Sequence, residues 1–247
     1  IGRYSLSGTG VLDASTGEDD SIREEYIGRD GTGTFTQSGG TNMATNIYIG
    51  SDASSSGSYS LSAGILLISG MERIGMNNKS AGTFTQTGGT HEVGETIYVG
   101  DWEGTGAYAL SGDGILTSDT EIIGMYGTGT FTQEGGTNLA NRLIVGNSSD
   151  SSGTYTQSGG ATTVTGEIAV GNQAGSIGSY SLSGTGTLTQ TGTTGETIGY
   201  YGKGTFTQTG GTNQADNISI GYASGSSGTY IQQGGTTTVT AELRIGN

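Results

Sequence analysis

Apolar and polar residues alternate one by one in short bursts along this chain, and the bursts return at a regular interval. In "GTFTQ" (33–37) small residues flank Phe35 and lead to Gln37; in "NIYIG" (46–50) Ile47 and Ile49 flank Tyr48. A period of two over four or five residues, rich in Thr, Tyr and Ile and bounded by glycine, predicts short β-strands. No stripe with a period of 3.6 persists, and Gly, Ser and Thr dominate, so helix is not expected. The phrase "GTFTQSGG" (33–40) returns at 82–89, 129–136, 153–160 and 204–211. A cousin with Leu in place of Gln stands at 57–64, 106–113 and 178–185.

Two anchors fix the repeat. The first is an aromatic residue, at Tyr4, Phe35, Tyr59, Phe84, Tyr108, Phe131, Tyr155, Tyr180, Phe206 and Tyr230; the second is an aliphatic residue before glycine, from Ile27 to Ile245. Ten units register on both. A unit of about 24 residues with two or three short strands cannot bury its own apolar side, but stacked coil on coil it can. The expected fold is all-β: a parallel β-solenoid, right-handed, of about ten coils, forming one domain over 1–247 that continues into a longer rod. At roughly 4.8 Å per coil, the rod is on the order of 45–50 Å long. The Gly-Gly after each Gln is expected to turn the chain with positive φ.

One position alternates between Gln and Leu, and a second position answers it. Where the residue two after the aromatic is Gln, the residue two before the closing aliphatic is aliphatic, as in Gln37 with Ile47 or Gln133 with Leu143. Where the first is Leu, the second is Glu: Leu6 with Glu25, Leu61 with Glu72, Leu110 with Glu121, Leu182 with Glu196. The rule holds in all ten units, as expected if both positions face each other inside the coil and trade polarity; the alternative is that Glu marks a strand end exposed to water. No two Glu coils are neighbours, so no carboxylate stacks on another about 5 Å away. A buried carboxylate needs donors or a raised pKa, and the neighbouring Gln amides are the expected donors.

If the aromatics point inward, their neighbours point outward. Thr34 and Thr36, Thr83 and Thr85, Thr130 and Thr132 then pave one face with hydroxyls, diluted by Ala107 and Ala109 and broken by Ile231. This "TFT" spacing resembles the threonine arrays of some β-solenoid antifreeze proteins, which implies ice binding as an alternative.

Composition removes several classes of function. The chain of 247 residues has 51 glycines, no proline and no cysteine, which excludes a disulfide scaffold and a thiolate metal site. Eight basic against 22 acidic residues, a net charge of −14, make nucleic acid an unsuitable partner. No apolar run approaches the ~20 residues that span a bilayer, so membrane insertion is not expected. Lys79 and Lys203 lie far apart and the single histidine, His91, replaces the Asn of "GGTN", which assigns it to a turn or strand edge. No constellation for acid–base catalysis gathers, so an enzyme, catalytic residues and a cofactor are not expected. The acidic run Glu18, Asp19, Asp20 in the one long insertion reads as a solvated loop, with weak Ca²⁺ binding as the alternative. The connections after Ile-Gly carry Trp102, Tyr126, Tyr200, Tyr201 and Tyr222, which either cover their own coils or stack on a glycan.

The phrases "GTGTFTQSGGTN" closing "IYIG", and "GSYSLS" closing "ERIG", resemble the glycine-rich β-strand repeats of large bacterial surface proteins, among them PEP-CTERM-sorted proteins and autotransporter-like passengers. The resemblance covers essentially the whole chain. It implies export to the cell surface, a β-solenoid, and structural or adhesive work in a filament, sheath or matrix. It supplies no catalytic residues, and no sorting tail accompanies the repeats. The low charge density and strand-like ends lead to one more expectation, head-to-tail association of copies into filaments.

Overall fold

The computed structural model describes residues 1–15 and 24–246. Every regular element in them is a β-strand, and the strands join one continuous sheet. The chain winds as a parallel β-solenoid of about nine turns, with roughly 24 residues per turn.

Each coil contributes to three files of strands. The first file holds the aromatic strands, such as Thr105–Leu110, Thr128–Gln133 and Ser152–Gln157. Pairing is parallel and residue for residue, so Tyr108 lies between Phe84 and Phe131. The second file follows the glycine corner, as in Ala161–Val164 and Thr187–Gln190. The third carries the closing aliphatic residues, as in Ile168–Val170 and Glu196–Ile198. Corners are soft enough that some strands run through two files: Ser56–Ile68 joins the first and second, Thr137–Val145 the second and third.

Alternation decides which side chains enter. In the coil of Phe131, the inward residues Phe131, Gln133, Asn138, Ala140, Leu143 and Val145 are all buried, while Thr130 and Thr132 point outward, half-buried. The ten aromatic rings stack along the axis with centroids 4.6–5.0 Å apart at every step. That is the strand spacing, so the ladder is imposed by the backbone and adds offset π-contacts to burial. Burial contributes about 1.5–3 kcal/mol for each buried ring, from Phe35 to Phe206.

Glycine is required where coils turn closely. Gly100 ends the third-file strand with φ 77°, and a Cβ there would lie 2.1 Å from the Thr128 carbonyl oxygen. Gly106 opens the next aromatic strand, and its Cβ would lie 2.2 Å from the Ile74 carbonyl oxygen. Both contacts are with backbone, so no side chain can yield. The second glycine of the Gly-Gly pair has positive φ as expected, 73° at Gly40 and 69° at Gly136.

Candidate functional site: an interior polar relay and an exposed loop notch

The interior is built from three kinds of coil. The first pairs Tyr with Leu in the first file, Leu in the second and Glu in the third; Tyr108, Leu110, Leu116 and Glu121 form one. Each such coil is followed by a second kind, with Phe, Gln, and Asn42, His91, Asn138 or Asn213 in the second file. A third kind, the coils of Tyr155 and Tyr230, carries Gln with Thr162 or Thr237.

Glu72, Glu121 and Glu196 are buried, as are their Leu counterparts Leu61, Leu110 and Leu182. The reciprocity therefore belongs to the interior. Where the following coil carries an asparagine, the donor differs from the expectation: it is that asparagine, not a glutamine, whereas Glu72, followed by His91, has no amide donor. Asn42, Asn138 and Asn213 donate from Nδ2 to Glu25, Glu121 and Glu196 at 2.9, 3.0 and 3.0 Å. The same amides donate to the hydroxyls of Tyr59, Tyr155 and Tyr230, one coil further on. Those hydroxyls in turn donate to Oε1 of Gln37, Gln133 and Gln208 at 2.5, 2.8 and 3.0 Å. Gln Nε2 finds main-chain carbonyls at the start of the second file, Ile65 O for Gln37 and Ala161 O for Gln133. The glutamine amide sits at that corner, where the carbonyls are within reach, and the asparagine lies between Glu and Tyr.

This relay explains a pattern that the anchors alone leave unread, the choice between Phe and Tyr. Tyr59, Tyr108, Tyr155, Tyr180 and Tyr230 each follow a Gln coil; Phe35, Phe84, Phe131 and Phe206 each follow a Leu coil. A hydroxyl is present where the preceding coil supplies an acceptor and absent where it supplies a leucine. An unpartnered buried hydroxyl costs about 1–3 kcal/mol. Phe84→Tyr and Leu61→Gln are accordingly each expected to lower stability by roughly that amount. Together they restore donor and acceptor, so the double variant is expected to recover most of the loss in a denaturant titration. Additive losses would refute the pairing.

His91 lies in the core, on a strand, not at the expected turn or strand edge. It takes the asparagine's place, fully buried, with its ring 4.7 Å from that of Phe84. Nδ1 lies 3.0 Å from the Tyr108 hydroxyl, whose proton goes to Gln86 Oε1 at 2.6 Å. Nδ1 is therefore the protonated nitrogen, which leaves Nε2 as an acceptor 3.5 Å from Glu72 Oε2. Burial pushes the Glu72 carboxyl well above its usual range and the His91 imidazole down to about 3, so both stand neutral. Burial likewise raises Glu121 and Glu196 to about 7, with hydrogen bonds from Asn138 and Ser118, and from Asn213, opposing it. Closed to solvent, these groups hold coils together and meet nothing outside the rod.

Outside, the hydroxyl file runs along the first-file strands in register, exposed or half-buried, through Thr130, Thr154, Ser179 and Thr205. On the third file a small apolar cluster of Ile122, Ile144 and Ala169 is covered by Tyr98 and Met125. The loops after the closing glycine differ in length. Loops 101–105 and 125–128 hold five and four residues, against six in 51–56, 76–81 and 147–152 around them. The short loops leave a notch of about 990 Å³ between the longer ones.

The exposed rings of Trp102 and Tyr126 line this notch, 57% and 45% accessible, with centroids 5.4 Å apart. The main chain at Trp102 is anchored. Its backbone N–H donates to Oδ1 of Asp101 at 2.9 Å, and Asp101 is buried against the Arg73 guanidinium, which lies 4.3 Å above the Tyr98 ring. Trp102 and Glu103 both adopt left-handed φ, 44° and 68°, a conformation that costs non-glycine residues about 1–3 kcal/mol. Of the other loop aromatics, Tyr200 and Tyr222 stack on each other at 4.8 Å, half-buried, and Tyr201 is exposed.

Glu18, Asp19 and Asp20 lie outside the described residues. Among the described residues no group of three or more His, Asp or Glu stands close enough to hold a metal ion, and no helix is long and apolar enough to cross a membrane. Fold and interior define the chain as a parallel β-solenoid repeat protein. Compared with family models, with curated proteins and with solved structures, it matches none.

Proposed function

We propose that this chain is a segment of a stiff, non-enzymatic structural rod working outside the cell, in a filament, sheath or adhesin stalk. The observation that carries this reading is the continuity of the interior. One aromatic ladder, with polar relays linking neighbouring coils, fills the coils from Tyr4 to Tyr230, so bending or shearing the rod breaks many contacts at once. Export rests on the resemblance to glycine-rich bacterial surface repeats.

The same interior code supports head-to-tail association. The coil of Tyr155, of the third kind, carries the coil of Tyr180, of the first kind, with the Tyr180 hydroxyl donating to Gln157 Oε1 at 2.7 Å. The coil of Tyr230 and Gln232 is again of the third kind, and the coil of Tyr4 and Leu6 is again of the first. For these 247 residues taken alone, a second copy can stack its Tyr4 coil on Gln232 in the same manner; in a longer chain a further coil of the first kind would take that place. The 247-residue chain is expected to form axial fibres in electron micrographs, more readily as salt screens its charge. Gln232→Leu removes the acceptor and is expected to reduce fibre formation. A strictly monomeric rod at high concentration and high salt would overturn the association.

A second reading rests on the outward hydroxyl file. If monomers inhibit ice recrystallisation while forming no fibres, a surface-binding module for ice replaces the structural rod.

A further inference from the structure

We infer that the notch at Trp102 and Tyr126 binds a polysaccharide chain carrying free amino groups, a polymer of the glucosamine type. Two features of the site lead to that chemistry. The paired rings are large apolar faces left in water on a rigid support, and the C–H face of a pyranose is the flat, weakly polar surface that covers such rings. The remaining lining supplies the carboxylates Glu103 and Asp150, with the Asn78 amide, and contains no lysine or arginine; a third carboxylate, Asp52, is paired with Arg29 at 3.8 Å. Carboxylates accept from sugar hydroxyls and pair with ammonium groups, and an ammonium beside Trp102 also gains the cation–π attraction. An anionic glycan would face Glu103 and Asp150 on a chain of net charge −14, and is rejected.

The shape agrees with a chain-like ligand. The notch is made by two consecutive short loops and bounded along the rod by longer ones. It therefore accepts a strand crossing the rod and not one lying along it. Asp101 and Arg73 anchor the main chain of the loop that carries Trp102. This inference stands apart from the structural-rod reading: a chain that forms fibres but ignores sugars leaves that reading intact, and a monomer that binds sugars leaves this one intact.

Trp102 is the only tryptophan, so its fluorescence reports this site alone. The probe is a β-1,4-linked glucosamine tetramer near pH 6, where its amines are charged, compared with its fully N-acetylated form and with tetralysine. A saturable change in Trp102 emission with the glucosamine tetramer is expected, with roughly tenfold weaker binding of the acetylated form. By calorimetry, Trp102→Ala and Tyr126→Ala are each expected to weaken binding by roughly tenfold or more. Asp150→Asn combined with Glu103→Gln is expected to erase the preference for the free amine. Both rings and both carboxylates lie on the surface, and unchanged circular dichroism and melting of each variant separate lost binding from lost fold. No change in emission overturns the inference. Equal binding of the acetylated tetramer overturns the amino-group assignment, and tetralysine binding as tightly as the sugar, with Trp102→Ala without effect, reduces the site to simple charge attraction.

Discussion

At about pH 5 the chain is expected to unfold at a higher temperature, and at higher denaturant, than at about pH 8. The cause is the buried carboxyls. Burial raises Glu121 and Glu196 from an ordinary value of 4.5 to about 7 in the folded rod. Below 4.5 both folded and unfolded chains hold these protons, and the carboxyls carry no penalty. Between 4.5 and 7 the unfolded chain releases protons that the folded chain keeps, so stability falls as pH rises, and above 7 the full cost is present. Two pH units of this difference at two sites amount to about 5 kcal/mol, at about 1.4 kcal/mol per unit.

Glu72 and Glu25, both raised by burial, act in the same direction. His91 opposes them. Burial lowers it to about 3, so below 6.5 the unfolded chain takes up a proton that the folded chain refuses, and stability is lost as pH falls through that range. At about pH 5 that loss is on the order of 2 kcal/mol, leaving a net gain of about 3 kcal/mol or more over pH 8. Glu121→Gln keeps an oxygen for Asn138 and removes the charge. It is expected to stabilise the chain at pH 8, to do little at pH 5, and to flatten the profile. A melting temperature that is equal at the two pH values, or higher at pH 8, would refute this account of the interior.

Leu110→Glu is expected to be among the most damaging single changes, lowering stability by roughly 3–5 kcal/mol at neutral pH. Leu110 is fully buried, and the side chain above it in register, Gln133, already accepts from Tyr155 and Thr162 at Oε1. The new carboxyl would share its coil with Glu121, in an interior already desolvated enough to raise that group to about 7. The reverse exchange shows why charge and hydrogen bonding must be separated. Glu121→Leu removes the desolvated carboxyl but strands one N–H of Asn138 and the Ser118 hydroxyl, at about 1–3 kcal/mol. Glu121→Gln is therefore expected to be the more stable of the two in urea titrations. A melt of Leu110→Glu indistinguishable from the parent would refute the buried arrangement.

Much of this molecule is readable without coordinates, because a solenoid is nearly one-dimensional. Each coil contacts only its neighbours, so a strand period of two inside a repeat of about 24 residues determines strand positions, parallel pairing and inward faces together. The aromatic ladder and the outward threonines follow from alternation, and the interior place of the Leu/Glu pairs is suggested by their reciprocity with the Gln/aliphatic pairs. Partner choice inside the coil does not. Which amide reaches Glu121 depends on how three files converge on one axis, and there Asn138, 17 positions along the chain, lies nearer in space than the glutamines of the adjacent coils. The Phe-after-Leu and Tyr-after-Gln rule was present in the letters, yet it has meaning only once Tyr155 is seen to donate to Gln133. His91 was misplaced for the same reason: a ring in an asparagine's position looks like a turn residue until Phe84, Tyr108 and Glu72 are found around it. The notch at Trp102 also needed the tertiary structure, since a difference of one or two loop residues becomes a groove only when neighbouring loops are stacked in register.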